Sequence, residues 1–120
     1  MPDRGESFKQ QLSRNSEITI SVTGRKSGRT ISIPVWFVAE GDTLYLLPVK
    51  GSETQWYKNA LNNPALRIEA GGAETELNAT PVSEAKDVSA VVEKFRKKYG
   101  PGDVKKYYTK FDVAMTARLA

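Results

Sequence analysis

Polar and apolar residues alternate along two neighbouring stretches near the start of the chain. Ile18, Ile20 and Val22 alternate with Thr19 and Ser21, and Ile31, Ile33, Val35 and Phe37 alternate with Ser32, Pro34 and Trp36. A period of two puts successive side chains on opposite faces of a sheet, which predicts strands over about 17–22 and 30–40. Gly41-Asp42 turns the chain into a third strand, 43–48. There Leu44 and Leu46 face one way and Tyr45 and Leu47 the other. Apolar residues on both faces predict a strand covered on both sides. Residues 65–70 and 73–82 read as a hairpin across Gly71-Gly72, with Glu74, Glu76 and Asn78 on a wet face. A last alternation, from Phe111 through Val113, Met115 and Ala117 to Leu119, predicts a closing strand.

Two segments change to a helical period. Val88, Val91, Val92, Phe95 and Tyr99 share one face of a main helix over about 84–99. Ser83 is its expected cap, Arg96-Lys97-Lys98 suits the negative end of its dipole, and Gly100-Pro101-Gly102 breaks it. Asp103 then caps a short turn holding Tyr107 and Tyr108. A shorter helix follows Lys50-Gly51. Ser52 and Gln55 have capping-box spacing, Trp56 and Ala60 form its packed side, and Asn63-Pro64 stops it. Residues 1–15 read as an N-terminal arm or short helix, with Phe8 and Leu12 on one face, and 16–120 as a single domain. Six strands with one short and one long helix make a mainly β, α+β chain. Two inserted helices are too few for a doubly wound fold, and the pattern suggests a small antiparallel barrel.

Composition narrows the chemistry. At 120 residues, with 39% hydrophobic and 27% charged residues, the chain has the make-up of an ordinary soluble globule. No apolar run approaches the length of a membrane span, and residues 1–15 are polar, so the expected location is the cytoplasm. Cysteine and histidine are both absent. That excludes disulfides, thiol nucleophiles, thiolate and imidazole metal sites and any histidine triad, and no metal is expected. Proton transfer falls to tyrosine, lysine, carboxylates or water. The net charge of +4 favours an anionic partner.

Five places offer chemistry. Between the first two strands, Thr23-Gly24-Arg25-Lys26-Ser27-Gly28-Arg29-Thr30 is a glycine-framed basic turn whose cations and hydroxyls suit a phosphate or carboxylate. A glycine- and serine-rich turn is also simply a good turn. It is not a P-loop, because the glycine spacing differs and no helix follows. Pro34 interrupts Pro34-Val35-Trp36-Phe37 and marks an edge, a bulge or a place where the sheet opens, against which a planar ring could lie. Pro48-Val49-Lys50-Gly51-Ser52 runs into a helix N-terminus, a second place for an anion. Trp56-Tyr57 on that helix has the spacing of core aromatics. Tyr107 and Tyr108, among Lys105, Lys106 and Lys110, could close a pocket and offer a phenol; the plainer reading is a solvated basic segment.

Taken in order, Thr23-Gly24-Arg25-Lys26-Ser27-Gly28-Arg29, then Pro34-Val35-Trp36-Phe37, then Lys50-Gly51, then Trp56-Tyr57, Asn59, Leu61 and Asn63-Pro64 resemble the deazaflavin-dependent nitroreductase family. That family belongs to the split β-barrel class of the pyridoxamine 5′-phosphate oxidases. The resemblance covers about 16–70. It implies a six-stranded antiparallel split barrel that binds coenzyme F-420 in a groove, with FMN as the alternative cofactor. By this resemblance Arg25, Lys26 and Ser27 hold the cofactor's phosphate and tail. Pro34, Val35 and Trp36 lie along its ring. Val49, Lys50, Gly51, Gln55, Trp56 and Tyr57 complete the site, and Tyr107 and Tyr108 match the tyrosines of the substrate pocket.

The function this implies is an oxidoreductase that passes a hydride to an activated double bond or nitro group of a small molecule, with Tyr107 or Tyr108 protonating the product. Beside it stand a split barrel that holds FMN or another ligand without turnover, and a basic nucleic-acid-binding domain. The last has the charge but no recognised module. Split barrels often pair, so a homodimer is the expected assembly.

Overall fold

The computed structural model describes residues 10–12 and 14–119. The N-terminal arm up to residue 9, with Phe8, lies outside the described residues; 10–12 and 14 are helical. Seven strands follow: β1 (Ile18–Thr23), β2 (Thr30–Val35), β3 (Phe37–Glu40), β4 (Thr43–Leu46), β5 (Ala65–Ala70), β6 (Ala73–Val82) and β7 (Ala114–Arg118). A 3-10 turn (Gly51–Glu53) and helix α1 (Gln55–Asn62) separate β4 from β5, and α2 (Ala85–Tyr99) and α3 (Pro101–Tyr107) separate β6 from β7. The sheet runs β2-β1-β5-β6-β7-β4-β3, every pairing antiparallel. Strand β6 joins the two halves. It pairs with β5 as far as Asn78, then with β7 from Ala79 to Val82.

The inward faces make one core. Ile18, Ile20, Val22, Leu44, Leu46, Leu66, Ile68, Met115 and Ala117 fill the barrel, together with Trp56 and Ala60 from α1. A second core lies outside, where Val88, Val91, Val92 and Phe95 of α2 cover Val38, Leu47 and Ala114. Strand β4 feeds both, Leu44 and Leu46 inward, Tyr45 and Leu47 outward, as its two apolar faces predict. Gly71 and Gly72 both have positive φ, 54° and 87°, the combination that a two-residue hairpin requires. Among the described residues no helix is long and apolar enough to cross a membrane.

Three expectations change. The predicted strand over 30–40 is two strands, making seven rather than six. β2 pairs with β1 and β3 with β4, so the chain crosses at Trp36 from one end of the sheet to the other. Pro34 lies in edge strand β2, where its missing N–H breaks no ladder. The helices are more numerous than one short and one long. After Gly100 (φ 96°) the chain resumes as α3 with Pro101 in its first turn, a favoured place for proline. None of the three expected caps forms. Thr54, Glu84 and Gly100 occupy the N-cap positions of α1, α2 and α3 without a side-chain capping bond, Asp103 lies inside α3, and the Ser52 hydroxyl is taken by Asp112 instead.

Candidate functional site

The β1–β2 turn is closed by its own backbone. Gly24 N–H donates to Arg29 C=O at 2.8 Å and Gly28 N–H to Gly24 C=O at 2.9 Å. Only Gly28 needs positive φ (72°); at Gly24 a Cβ would come within 2.8 Å of Ser27 Oγ. Ser27 turns inward and accepts Arg29 N–H at 3.2 Å. Arg25 is held by α1. Its Nη1 donates to Asn59 Oδ1 at 2.8 Å, its Nη2 to Gln55 Oε1 at 2.9 Å, and its own N–H to the same Asn59 oxygen at 3.1 Å. Both acceptors are neutral amides, and among the described residues no carboxylate pairs with Arg25. Its direction is fixed, and its charge has no carboxylate partner among the described residues. A small pocket of about 270 Å³ opens here, lined by Arg25, Lys26, Ser27, Ile31, Gln55 and Asn59, with Gly24.

A second pocket, about 380 Å³, lies at the other end of β2. Pro34, Val35 and Trp36 form one wall, Leu47 and Val49 another, and Glu17, Tyr107 and Tyr108 complete it. Trp36 stacks on Tyr99, with centroids 4.2 Å apart and planes 7° from parallel. Tyr107 meets Trp36 edge-on at 5.3 Å, and Tyr108 is tilted to it at 6.0 Å. Tyr99 seals the seam that the bend leaves open. Its hydroxyl accepts Phe37 N–H at 3.0 Å, and the carbonyls of Ser16 (2.7 Å) and Phe37 (2.8 Å) both lie within reach of its proton. Burial above all, and then the Glu17 carboxylate, push the Tyr99 phenol up to about 12. Lys98 Nζ donates to Phe37 C=O at 2.8 Å and sits 3.5 Å from the Phe37 ring centroid, and burial pulls its amine down to about 8. The Tyr108 phenol is likewise pushed up, first by burial and then by Tyr99.

The two pockets draw on the same two stretches of chain. β2 contributes Ile31 to the first and Pro34 and Val35 to the second; the segment from Val49 to Gln55 contributes Gln55 to the first and Val49 to the second. Since Thr23 faces Thr30 while Ile18 faces Val35, the pockets lie at opposite ends of the hairpin. Three to four strand steps, from Ile31 to Pro34 and Val35, put their β2 linings roughly 10–13 Å apart.

A clasp holds the segment between. Asp112 accepts Ser52 N–H on Oδ1 at 2.9 Å and the Ser52 hydroxyl on Oδ2 at 2.5 Å. Thr109 N–H donates to Val49 C=O at 2.9 Å. Burial pushes the Asp112 carboxyl up, but the Ser52 bonds and Lys110 together outweigh it, and the group lies below its ordinary value. Gly51 (φ 56°) passes so close that a Cβ there would lie 2.0 Å from Asp112 Oδ1.

Of the residues singled out in the sequence, Arg25, Lys26, Ser27 and Gln55 meet at the first pocket, and Pro34, Val35, Trp36, Val49, Tyr107 and Tyr108 at the second. Lys50 is exposed and Gly51 buried in the clasp, and neither lines a pocket. Trp56 and Tyr57, each 4% exposed, pack in the barrel core. Three residues were missed, Tyr99, Glu17 and Asp112, and Asn59 entered only as part of the family motif, with no role at the site. Asn59 had a signal, a polar residue one turn after Gln55 on the packed side of a helix. Among the described residues no group of acidic side chains is arranged to hold a metal ion.

The family model DUF2255, described as an uncharacterized protein conserved in bacteria, matches residues 9–119. The chain belongs to this family. No curated protein matches it. Among solved structures, the F420-H2 dependent reductase FDR-A is similar with a TM-score of 0.67 at 18% identity, over 86% of this chain and 94% of that one. HutZ, the heme storage protein of Vibrio cholerae, gives 0.69 at 13% identity over 94% and 87% of the two chains. A putative pyridoxamine 5′-phosphate oxidase from Listeria innocua gives 0.65 at 12% identity over 97% and 92%. At these identities the likeness is one of fold, and the fold is the split barrel that the resemblance implied.

Proposed function

We propose that this DUF2255 protein binds a deazaflavin of the coenzyme F-420 type along the groove and is an oxidoreductase, reducing an activated double bond or nitro group of a small molecule. One observation carries the reading: a rigidly held Arg25, with no carboxylate partner among the described residues, and a flat aromatic pocket at Trp36 stand at opposite ends of β2, and the groove is proposed to run between them. A ligand that fills both ends has a planar head and a long anionic tail. FMN carries the same ribityl phosphate but no oligoglutamate beyond it, and so brings less negative charge to Arg25 and Lys26.

When bound, reduced deazaflavin supplies a hydride. The chain does the rest. Arg25 and Lys26 bind the tail's negative charge with charge-assisted hydrogen bonds. Pro34, Val35 and Trp36 orient the ring, and the Tyr99 stack holds Trp36 still. Leu47 and Val49 keep water from one side. The proton that completes the reduction comes from the Tyr107 phenol, which is 49% exposed, or from Tyr108, which is 4% exposed and whose raised pKa keeps it protonated. The reading includes a homodimer, for which the open edge of β2 offers a pairing surface.

The test is a pair of absorbance titrations, coenzyme F-420 and FMN side by side. The reading expects F-420 to bind at least tenfold more tightly. Tighter FMN binding would favour the flavin alternative, and binding of F-420 without reduction of any nitroaromatic or enone would favour a carrier.

A further inference from the structure

We infer that the molecule reduced at the Trp36 pocket carries a positive charge; this rests on the proposed function for turnover, but not for binding. Three of the pocket's walls are aromatic, Trp36, Tyr107 and Tyr108, and they meet at steep angles, 77° between Trp36 and Tyr107 and 53° between Trp36 and Tyr108. Tyr99 covers one face of Trp36, so the rings offer the pocket a mixture of faces and edges, of which the faces attract cations. The one charged residue among the lining residues is Glu17, a carboxylate. None of the ion pairs among the described residues involves it. Cations stand outside the lining: Lys50 follows Val49 in the chain, Lys106 Nζ lies 5.5 Å from the Tyr107 ring centroid, and Lys98 Nζ lies 5.1 Å from that of Tyr99.

A carboxylate with converging aromatic faces is the chemistry that recognises an ammonium group, quaternary or protonated. The groove is then polar from end to end. The Arg25 end takes an anion, and the Glu17 end takes a cation and repels an anion. That arrangement fixes which way round a ligand lies and keeps a second anion away from the head pocket. Glu17 is thereby a specificity-determining residue for the acceptor.

The test uses two small aromatic ions on the ligand-free chain, benzyltrimethylammonium and benzoate, followed by tryptophan fluorescence. Trp36 is half-exposed and Trp56 is buried, so the signal reports the pocket. At low salt the cation should bind at least about fivefold more tightly, the worth of one contact charge pair in water. Glu17→Gln, an exposed change that leaves the fold alone, should bring the two within about twofold. On the F-420-loaded protein, kcat/KM for 4-nitrobenzyltrimethylammonium should exceed that for 4-nitrobenzoate by about tenfold, and Glu17→Gln should remove the gap. Equal or tighter binding of benzoate, or a preference that survives Glu17→Gln, overturns the inference. If neither F-420 nor FMN binds, the proposed function fails while the fluorescence titrations still decide the charge of the ligand.

Discussion

Tyr99 lies flat on Trp36, 4.2 Å between centroids, and the same side chain accepts Phe37 N–H at 3.0 Å. One residue of α2 therefore does two jobs. It holds the indole that forms the wall of the head pocket, and it satisfies a backbone amide that the break between β2 and β3 leaves without a strand partner.

Tyr99→Phe separates these jobs, because it keeps the ring and removes the hydroxyl. The loss should cost about 1–3 kcal/mol, the penalty for a half-buried amide left unpaired, with the stack intact. Urea denaturation measures it. Tyr99→Ala should cost more, and should also weaken ligand binding, because Trp36 loses its support. A Phe variant as stable as the parent would mean that water replaces the hydroxyl at the seam.

The Gly51–Asp112 contact predicts non-additivity. Gly51→Ala forces a Cβ to within 2.0 Å of Asp112 Oδ1 at a backbone φ of 56°, two separate penalties. Asp112→Ala removes one of them. The double variant should be destabilised by clearly less than the sum of the two singles, as expected for residues in contact. The Asp112 contribution also has a pH sign. Its folded pKa is lowered, so the stabilisation is complete above the ordinary carboxylate value near ~3.9 and is lost as the pH falls through the folded value. Denaturation midpoints of the parent and Asp112→Ala should converge in acid.

Much of the barrel was legible in the sequence. Ile18, Ile20 and Val22 alternate as they must to fill it, and Gly71-Gly72 marks its hairpin. The bend at Trp36 was legible only as one of the alternatives at Pro34, an edge, a bulge or an opening of the sheet, because the alternation of Val35 and Phe37 runs through it unbroken. What decides the bend is Tyr99, 62 residues away from Phe37. Ser52 was misread for the same reason. Its partner Asp112 is 60 residues distant and outcompetes the local cap. The basic turn was legible as a glycine-framed turn between two strands, but what aims Arg25 is a pair of amides on α1 that only folding brings near.

Tyr107 and Tyr108 both line the head pocket, one half-exposed and one buried, so their roles should separate. Phenylalanine at the proton-donating position should lower turnover by ~10²-fold or more, with cofactor affinity unchanged. At the other position it should alter stability or KM alone. Steady-state kinetics of both single variants with a nitroaromatic acceptor measure this. Full turnover in both would assign the proton to water.

The two-ended groove is tested most directly by measuring Arg25→Ala against two ligands, coenzyme F-420 and its chromophore lacking the phosphate and tail. Charge-assisted bonds of ~1.5–3 kcal/mol predict at least about tenfold weaker binding of full-length F-420 to the variant, and no change for the tail-less chromophore. An equal loss for both ligands, or none for either at low salt, would contradict an anionic tail at Arg25 and with it the assignment of the groove.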